Sequence, residues 1–436
     1  MSDSSILYHT LSVCPVCLGV VEAELISKGS AVLFRKECIE HGVFEAMAWP
    51  DTEHFRWMNS FSAPFTRPHS VTSLELGCPR DCGPCVRHLR KPASIEICVT
   101  HDCNLRCSVC FTPTGESESE IVFSGLKKTF YQIKEQVGTT LAIRLTGGEP
   151  TIRQDLPEIV QMGRKAGFKD LEIATNGIII SRDFDYLLRL KEAGLTGIHL
   201  QFDGLSVPVY QQIRGVDLLA TKLQAIENCR RAGIPVVLVM TVLDKLNLDQ
   251  VGDVLRFALE NVDVVAELAL QPFFASGSFE VGQPKRLSMG DLIFALAEKC
   301  PDLLGPYDFY PLGRSHPLCS CSTYLVRQPK GFVPATRTIS PEQYRSAFDP
   351  ENPQRSVFRD ILAGHSEAAV EGLSLVIMNL MDIRTMELDR LRQCSKVVAA
   401  QDGRVLPFCS YHLMGCNGRR IHPASGMHLE PVTPTL

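Results

Sequence analysis

No run of eighteen or more apolar residues occurs in this chain, so no segment reads as a membrane-spanning helix. The longest apolar stretch, around Leu373 to Met381, is too short to span and is broken by Asn379. The opening residues, Met1-Ser-Asp-Ser-Ser5, carry neither a basic cluster nor an apolar core, so a secretory leader is not expected. Basic excess is missing too. Lys and Arg number 44 against 49 Asp and Glu, and the net charge of −5 argues against nonspecific attraction to nucleic acid or to an anionic membrane. These absences predict a cytoplasmic protein with no nucleic-acid partner. Its 436 residues suit two or three domains.

Cysteine, by contrast, is plentiful, with 17 residues. In a reducing compartment that number points to metal binding or catalysis and not to a disulfide framework. The cysteines fall in two flanks. Cys14, Cys17 and Cys38 open the chain, and a dense group runs from Cys78 to Cys110. Cys319, Cys321, Cys394, Cys409 and Cys416 lie in the tail. Between the flanks only Cys229 and Cys300 occur, both at helical spacing with apolar neighbours, and both read as core thiols. Cys98 lies within a strand and reads as structural.

The centre alternates strands with helices. Candidate strands are 95–100, 141–145, 171–174, 197–202, 236–242 and 267–271, several ending in polar or glycine-containing loops. Helical faces are predicted from Phe184, Leu187 and Leu188, and from Leu219, Leu223 and Ile226. Three helices end alike, at Gly167, Gly194 and Gly233, where glycine suits a left-handed cap. Six strand–helix units with short connections predict a parallel sheet with right-handed crossovers, an incomplete barrel in preference to a doubly wound sheet. In either fold, ligand groups belong at the C-terminal ends of the strands.

Directly after the first of these strands stands Cys103-Asn-Leu-Arg-Cys107-Ser-Val-Cys110. Three thiolates on one short loop can hold three irons of a cubane cluster and leave the fourth open to a ligand bearing an amine and a carboxylate. A structural zinc or a passive electron-transfer cluster is the plainer alternative. After the second strand comes Thr146-Gly-Gly-Glu149-Pro150, where glycines allow close approach of backbone to a ligand and a carboxylate can accept from an ammonium.

This pair of loops resembles the radical S-adenosylmethionine (SAM) superfamily. The resemblance implies an α/β fold, a partial (β/α)6 barrel. It implies that Cys103, Cys107 and Cys110 carry the catalytic [4Fe-4S] cluster and that Gly147, Gly148 and Glu149 receive the methionyl amine of SAM. It also implies a 5′-deoxyadenosyl radical made with electrons from a reductant such as flavodoxin or ferredoxin. Asn176, Gln201, Asp203 and Gln271 sit at strand ends where further SAM contacts are expected. In one departure from the pattern, Val109 stands where an aromatic residue is common, with Phe111 nearby.

Residues 93–290 would form the barrel, with a metal ribbon at 1–60, an auxiliary-cluster segment at 61–92 and an auxiliary-cluster or substrate region at 291–436. Cys78-Pro-Arg-Asp-Cys82-Gly-Pro-Cys85 repeats the spacing of the catalytic loop without a following Gly-Gly-Glu, which suits an auxiliary cluster or a zinc site. Cys14, Cys17, Cys38 and His41 read as two knuckles of a small ribbon holding one Fe or Zn, with its hairpin around Val32, Leu33 and Phe34. Cys319, Cys321, Cys394 and Cys409 are candidates for a third cluster, and Cys416 is left over.

The whole layout is similar to the class D radical SAM methylases acting on pterin precursors and to the archaeal tetraether lipid synthases. The matching pieces include Ile213-Arg-Gly215, Gln271-Pro272 and Asp402-Gly-Arg-Val-Leu-Pro-Phe-Cys409. Either group implies carbon–carbon bond formation at an unactivated carbon of a small-molecule or lipid substrate, methylation or coupling. A lipid-joining enzyme needs an apolar tunnel, to which Leu373, Leu375, Ile377, Met378, Leu380 and Met381 would contribute if they are not an ordinary amphipathic or buried helix. A radical dehydrogenase or peptide modifier, and an iron–sulfur electron-transfer protein, are the alternatives.

Overall fold

The computed structural model describes residues 4–112, 121–276, 278–279, 285–364 and 371–422. The last fourteen residues of the region expected at 291–436 lie outside them. The chain begins with an antiparallel sheet of four strands in sequential order, β1 (Ser4–Val13), β2 (Val20–Lys28), β3 (Ala31–Cys38) and β4 (Gly42–Trp49). Alternation along β3 turns Val32 and Phe34 inward, where they meet Trp49, Phe55 and Met58. Phe55 and Met58 come from the helix Thr52–Asn59, which Asp51 caps by accepting from the His54 N–H at 2.7 Å.

Six strands then lie side by side and parallel: β5 (Ser94–Thr100), β6 (Ala142–Gly147), β7 (Leu171–Thr175), β8 (Gly197–Gln201), β9 (Val236–Val242) and β10 (Val265–Pro272). These are the six units expected, in the expected order. The sheet continues past both ends. β11 (Ser320–Gln328) pairs antiparallel with β12 (Gly372–Met378), which runs parallel to β10. At the opposite edge β13 (Lys396–Ala399) runs parallel to β5 and pairs with β14 (Val405–Pro407). Strands of the segment beyond residue 291 therefore extend the barrel wall at both edges.

One correction follows for the apolar stretch near Leu373. It is a strand. Leu373, Leu375 and Ile377 are fully buried on its outer face, while Val376 and Met378 face the interior. A tunnel lined by all of its apolar residues is thus not formed, because the two-residue period sends half of them to the other face.

Residues from both edges, Glu96 and Lys396 at one and Ser320 and Val376 at the other, line a single cavity of about 430 Å³. The sheet is therefore curled into a barrel that stays open between its edges among the described residues. Its strands have two unlike faces. Outward residues such as Ile143, Leu145, Ile173, Ile198, Leu238 and Leu268 are fully buried against helices. Truncating one of them to alanine is expected to cost about 2–5 kcal/mol. Inward residues at the alternate positions are largely polar.

The helices Leu156–Ala166 and Leu219–Ala232 end at Gly167 and Gly233, both at positive φ, and Gly194 is also at positive φ, as expected. The helix Leu219–Ala232 is rotated from its predicted face. Leu223 is exposed, whereas Lys222, Ala225, Ile226 and Cys229 are buried. Cys300 is buried as well, capping the helix Met289–Lys299.

Candidate active site

The loop Cys103–Cys110 leaves the C-terminal end of β5, and the Gly147-Gly148 turn leaves β6 beside it. A Cβ on Gly147 would fall 2.1 Å from the Thr100 carbonyl oxygen, and one on Gly148 2.1 Å from that of Asp102. These glycines let one loop press against the backbone of the other, a role the sequence reading had given to ligand approach. The contact is fixed by N–H donation from Gly148 to the Thr100 oxygen and from Glu149 to the Asp102 oxygen, both at 2.8 Å.

The Glu149 carboxylate is buried. Its Oε1 accepts from the Thr151 N–H at 3.1 Å, the Thr151 hydroxyl at 2.5 Å and the Thr175 hydroxyl at 2.7 Å. Its Oε2 accepts from the Asn176 N–H at 2.7 Å. The side chain therefore ties the ends of β6 and β7 together while lining the cavity.

Cys103, Cys107 and Cys110 line the same cavity. Leu105, Ile178, Tyr210 and Leu218 form an apolar shell against Cys103 and Cys107. Burial pushes the Cys103 thiol up to about 11 and Cys110 upward as well, so binding of iron here would release protons. Ligand sulfurs around one tetrahedral ion stand about 3.8 Å apart. Among the described residues the only group whose ligand atoms all lie within 4.8 Å is Cys14, Cys17, Cys38 and His41. The three thiols of this loop are not gathered in that way, and three thiols on one loop at the cavity wall suit a [4Fe-4S] cluster with one sulfur per iron.

Comparison with known proteins bears on the same loops. Residues 97–258 match the Radical SAM superfamily domain, and residues 6–50 match the HMPTM N-terminal zinc ribbon domain. A 7,8-dihydro-6-hydroxymethylpterin dimethyltransferase of Methanocaldococcus jannaschii is 31% identical over 472 aligned residues, covering 93% of each chain. The chain belongs to the radical SAM superfamily. A probable GTP 3′,8-cyclase of Sulfurisphaera tokodaii is 31% identical over 42% of this chain and 58% of its own length. The crystal structure of Streptococcus suis SuiB bound to precursor peptide SuiA aligns with 49% of this chain and 46% of its own at 19% identity and a TM-score of 0.42.

In this radical SAM enzyme Asn176, Gln201 and Gln271 line the cavity. Asp203 does not. It is fully buried, and its two oxygens accept from Arg214 Nε and an Arg214 terminal nitrogen, each at 2.8 Å. Arg214, which the sequence reading had not singled out as a site residue, lines the cavity and also acts on the Cys107 thiol. It closes the helix Val207–Arg214, to which the cysteine loop is tied by donation from the Ser108 N–H to the Ile213 oxygen at 3.1 Å. Lys222 was missed too. Its ammonium, drawn down to about 7 by burial, donates to the Asn176 carbonyl and to Gln201 Oε1. Val109 packs with Val209, Ile213 and Phe273, while the Phe111 ring is held by Phe274, Phe408 and His412.

The remaining cysteines sort by surroundings. Cys78, Cys82 and Cys85 act on one another. The Cys78 thiol is drawn down to about 6, chiefly by a hydrogen bond with Cys82 and further by Arg392, against the opposing effect of burial. None of the three lines the barrel cavity, but Cys82 shares an apolar cluster with Cys409. Cys319, Cys394 and Cys409 do line the cavity, and an Arg390 terminal nitrogen lies 3.5 Å from the Cys319 sulfur.

Cys321, grouped with them by sequence, is placed elsewhere. It pairs with Ile377 and is fully buried in the main core. Cys319 closes a turn from His316 ahead of the strand, so the i, i+2 rule for a common face does not reach it. In the ribbon, Cys17 and Cys38 sulfurs are 4.0 Å apart, and His41 Nδ1 is 3.7 Å from Cys14 and 3.4 Å from Cys38, dimensions that suit a single tetrahedral ion. Cys416 is exposed near this ribbon, its N–H donating to the Pro15 oxygen.

Below the thiols the lumen is charged. An Arg144 terminal nitrogen lies 3.0 Å from Glu172 Oε2 and 2.7 Å from His199 Nε2, and Lys396 Nζ is 2.9 Å from Glu96 Oε1. Burial opposes ionisation of Glu96 and Glu172. Lys396 and Arg144 around Glu96, and His199 and Arg144 around Glu172, nevertheless hold both carboxyls below their ordinary range.

Proposed function

We propose that this radical SAM enzyme is a C-methyltransferase acting on a dihydropterin or a closely related polar heterocycle. The observation that carries the reading is the charged lumen beneath the cysteine loop, lined by Glu96, Arg144, Glu172, His199, Glu267 and Arg314. Seating an alkyl chain against these groups would strip them of water without offering hydrogen bonds, whereas a polar heterocycle can supply them. Of the residues a lipid tunnel would use, Leu373, Leu375 and Ile377 face the other way, and only Met378, Leu380 and Met381 line the cavity, beside these charged groups. Full-length similarity to a pterin dimethyltransferase supports the same substrate class.

Cys103, Cys107 and Cys110 would hold a [4Fe-4S] cluster, whose chemistry there would be one-electron reduction of SAM to methionine and a hydrogen-abstracting 5′-deoxyadenosyl radical. The chain's own part is placement. Glu149, already oriented by Thr151, Thr175 and Asn176, accepts from the methionyl ammonium of SAM. Asn176, Gln201 and Gln271 offer amide contacts at the rim, and Lys222 fixes the first two from below. Arg214 neutralises Asp203 and holds the helix end against the cysteine loop.

Cys78, Cys82 and Cys85, and separately Cys319, Cys394 and Cys409, are the seats of auxiliary clusters, the second set facing the substrate and the first behind it. Such a series suits electron delivery from a flavodoxin- or ferredoxin-type donor.

Reconstituted without oxygen and given SAM, a strong reductant, 7,8-dihydro-6-hydroxymethylpterin and a one-carbon donor (isotope-labelled SAM in excess or a labelled methylene-tetrahydropterin, each in turn), the enzyme is expected to form 5′-deoxyadenosine and a pterin carrying the labelled carbon of one donor, both read by mass spectrometry. Deoxyadenosine with the pterin recovered unchanged would overturn the substrate assignment.

A further inference from the structure

Most charged groups of the lumen satisfy one another, but three polar side chains at one end do not. Glu267 projects from β10 in the same inward register as Ala269 and Gln271, and all three line the cavity. Glu267 lies four positions before Gln271 along the strand, which sets its carboxylate roughly 13 Å below the rim. Among the described residues its carboxylate accepts one hydrogen bond, from the Ser374 hydroxyl to Oε2 at 3.1 Å.

Arg314 enters from the loop ahead of β11 and makes no hydrogen bond or ion pair among the described residues. Burial lowers its guanidinium from the ordinary value, and Glu267 is the strongest charge opposing that. Gln354 Oε1 is buried with no hydrogen-bond partner. Glu267, Arg314 and Gln354 also share the small adjoining hollow that includes Tyr344, so they meet at one place. One carboxylate with spare acceptor capacity, one guanidinium without a hydrogen bond and one buried, unpaired amide oxygen stand together here, and a polar ligand would complete all three.

We propose that Glu267, Arg314 and Gln354 form the floor of the substrate site and bind the lactam–amidine edge of a planar heterocycle of the pterin kind. The ring N–H and exocyclic amine donate side by side to the Glu267 carboxylate, and the lactam oxygen accepts from Arg314. Gln354 Oε1 takes the second amine hydrogen. The ring then stands upright in the lumen, with its far edge, where carbon is added, directed toward the Cys103–Cys110 loop. This rests on the pterin reading above and adds which residues select the ring.

The test is binding without turnover. 7,8-dihydro-6-hydroxymethylpterin is titrated into the cluster-loaded enzyme in the absence of reductant and followed by equilibrium dialysis. E267Q is expected to weaken binding roughly hundredfold and R314Q at least about tenfold. Both should keep the iron content and the melting temperature of the wild type, which separates lost binding from lost fold. A lumazine analogue, with oxygen in place of the exocyclic amine, should bind wild type poorly and E267Q better, because a carboxamide can donate to that oxygen. If wild type binds the pterin and both variants bind it equally well, this inference alone is overturned. If wild type binds no pterin yet cleaves SAM, the pterin reading falls and this inference with it.

Discussion

Cys78–Cys85 and Cys103–Cys110 share one cysteine spacing and occupy opposite settings. The first segment lies ahead of the barrel, with a three-way nest of donors from Glu75, Leu76 and Gly77 closing on Asp81. A Cβ on its Gly83 would come within 2.5 Å of the Thr72 hydroxyl and 3.0 Å of the Val405 oxygen, so the segment is wedged against the C-terminal strand β14. The second segment opens on the lumen beside the Gly-Gly-Glu turn. Spacing thus selects what a loop can hold, and its position at a strand end selects what the held group can reach.

The largest effects should come from cutting each motif. C107A is expected to abolish deoxyadenosine formation, whereas C82A should retain part of it and lose methylated product. Equal loss of SAM cleavage in both would erase the distinction. Next come the two packing glycines. G148A forces its loop away from the Asp102 backbone and is expected to lower SAM cleavage at least about tenfold, while G83A, at positive φ and against the Thr72 side chain, should depress product and spare cleavage.

A smaller effect is expected from R214Q, which removes the guanidinium partner of the fully buried Asp203 and leaves it the Gln201 amide and the Thr241 N–H. About 3 kcal/mol of stability should be lost in denaturant titration and much of it regained in D203N/R214Q. Regain of stability without regain of SAM cleavage would separate the contact with Cys107 from the ion pair.

The smallest concerns pH and lies away from both motifs. His54 accepts from Trp49 Nε1 at 3.1 Å and faces the Pro306 oxygen at 3.0 Å, and burial holds its ring below the usual histidine value. An unfolded histidine titrates near about 6.5. The unfolded chain therefore takes up protons first, and stability present above that pH is lost as pH falls below it. H54Q should flatten the fall in melting temperature below about pH 6.5, with no change in cleavage per folded molecule.

Much of the architecture could be read before any coordinates because local chemistry dictates it. The six central strands, their glycine-ended helices and the cysteine loops all carry short-range signals. What escaped was long-range. β13 is four residues long and β12 looked like any apolar run, so two of the eight parallel strands were invisible until they paired with β5 and β10. Glu96, Arg144, Glu172 and His199 each alternate with apolar residues as a solvent-facing residue would. Only the curling of the sheet turns that face into a lumen. Arg214 was written in the Ile213-Arg-Gly215 element, but its value depends on Asp203 and Cys107, which the fold alone brings to it.

The central claim is that SAM meets the cluster of one cysteine triplet only. Electron paramagnetic resonance of the reduced, cluster-loaded protein, recorded with and without SAM, tests it most directly. The account predicts a SAM-dependent change in one cluster signal, retained in a variant with Cys78, Cys82 and Cys85 replaced by alanine and absent when Cys103, Cys107 and Cys110 are replaced. A SAM-dependent signal that survives loss of Cys103, Cys107 and Cys110 would contradict it.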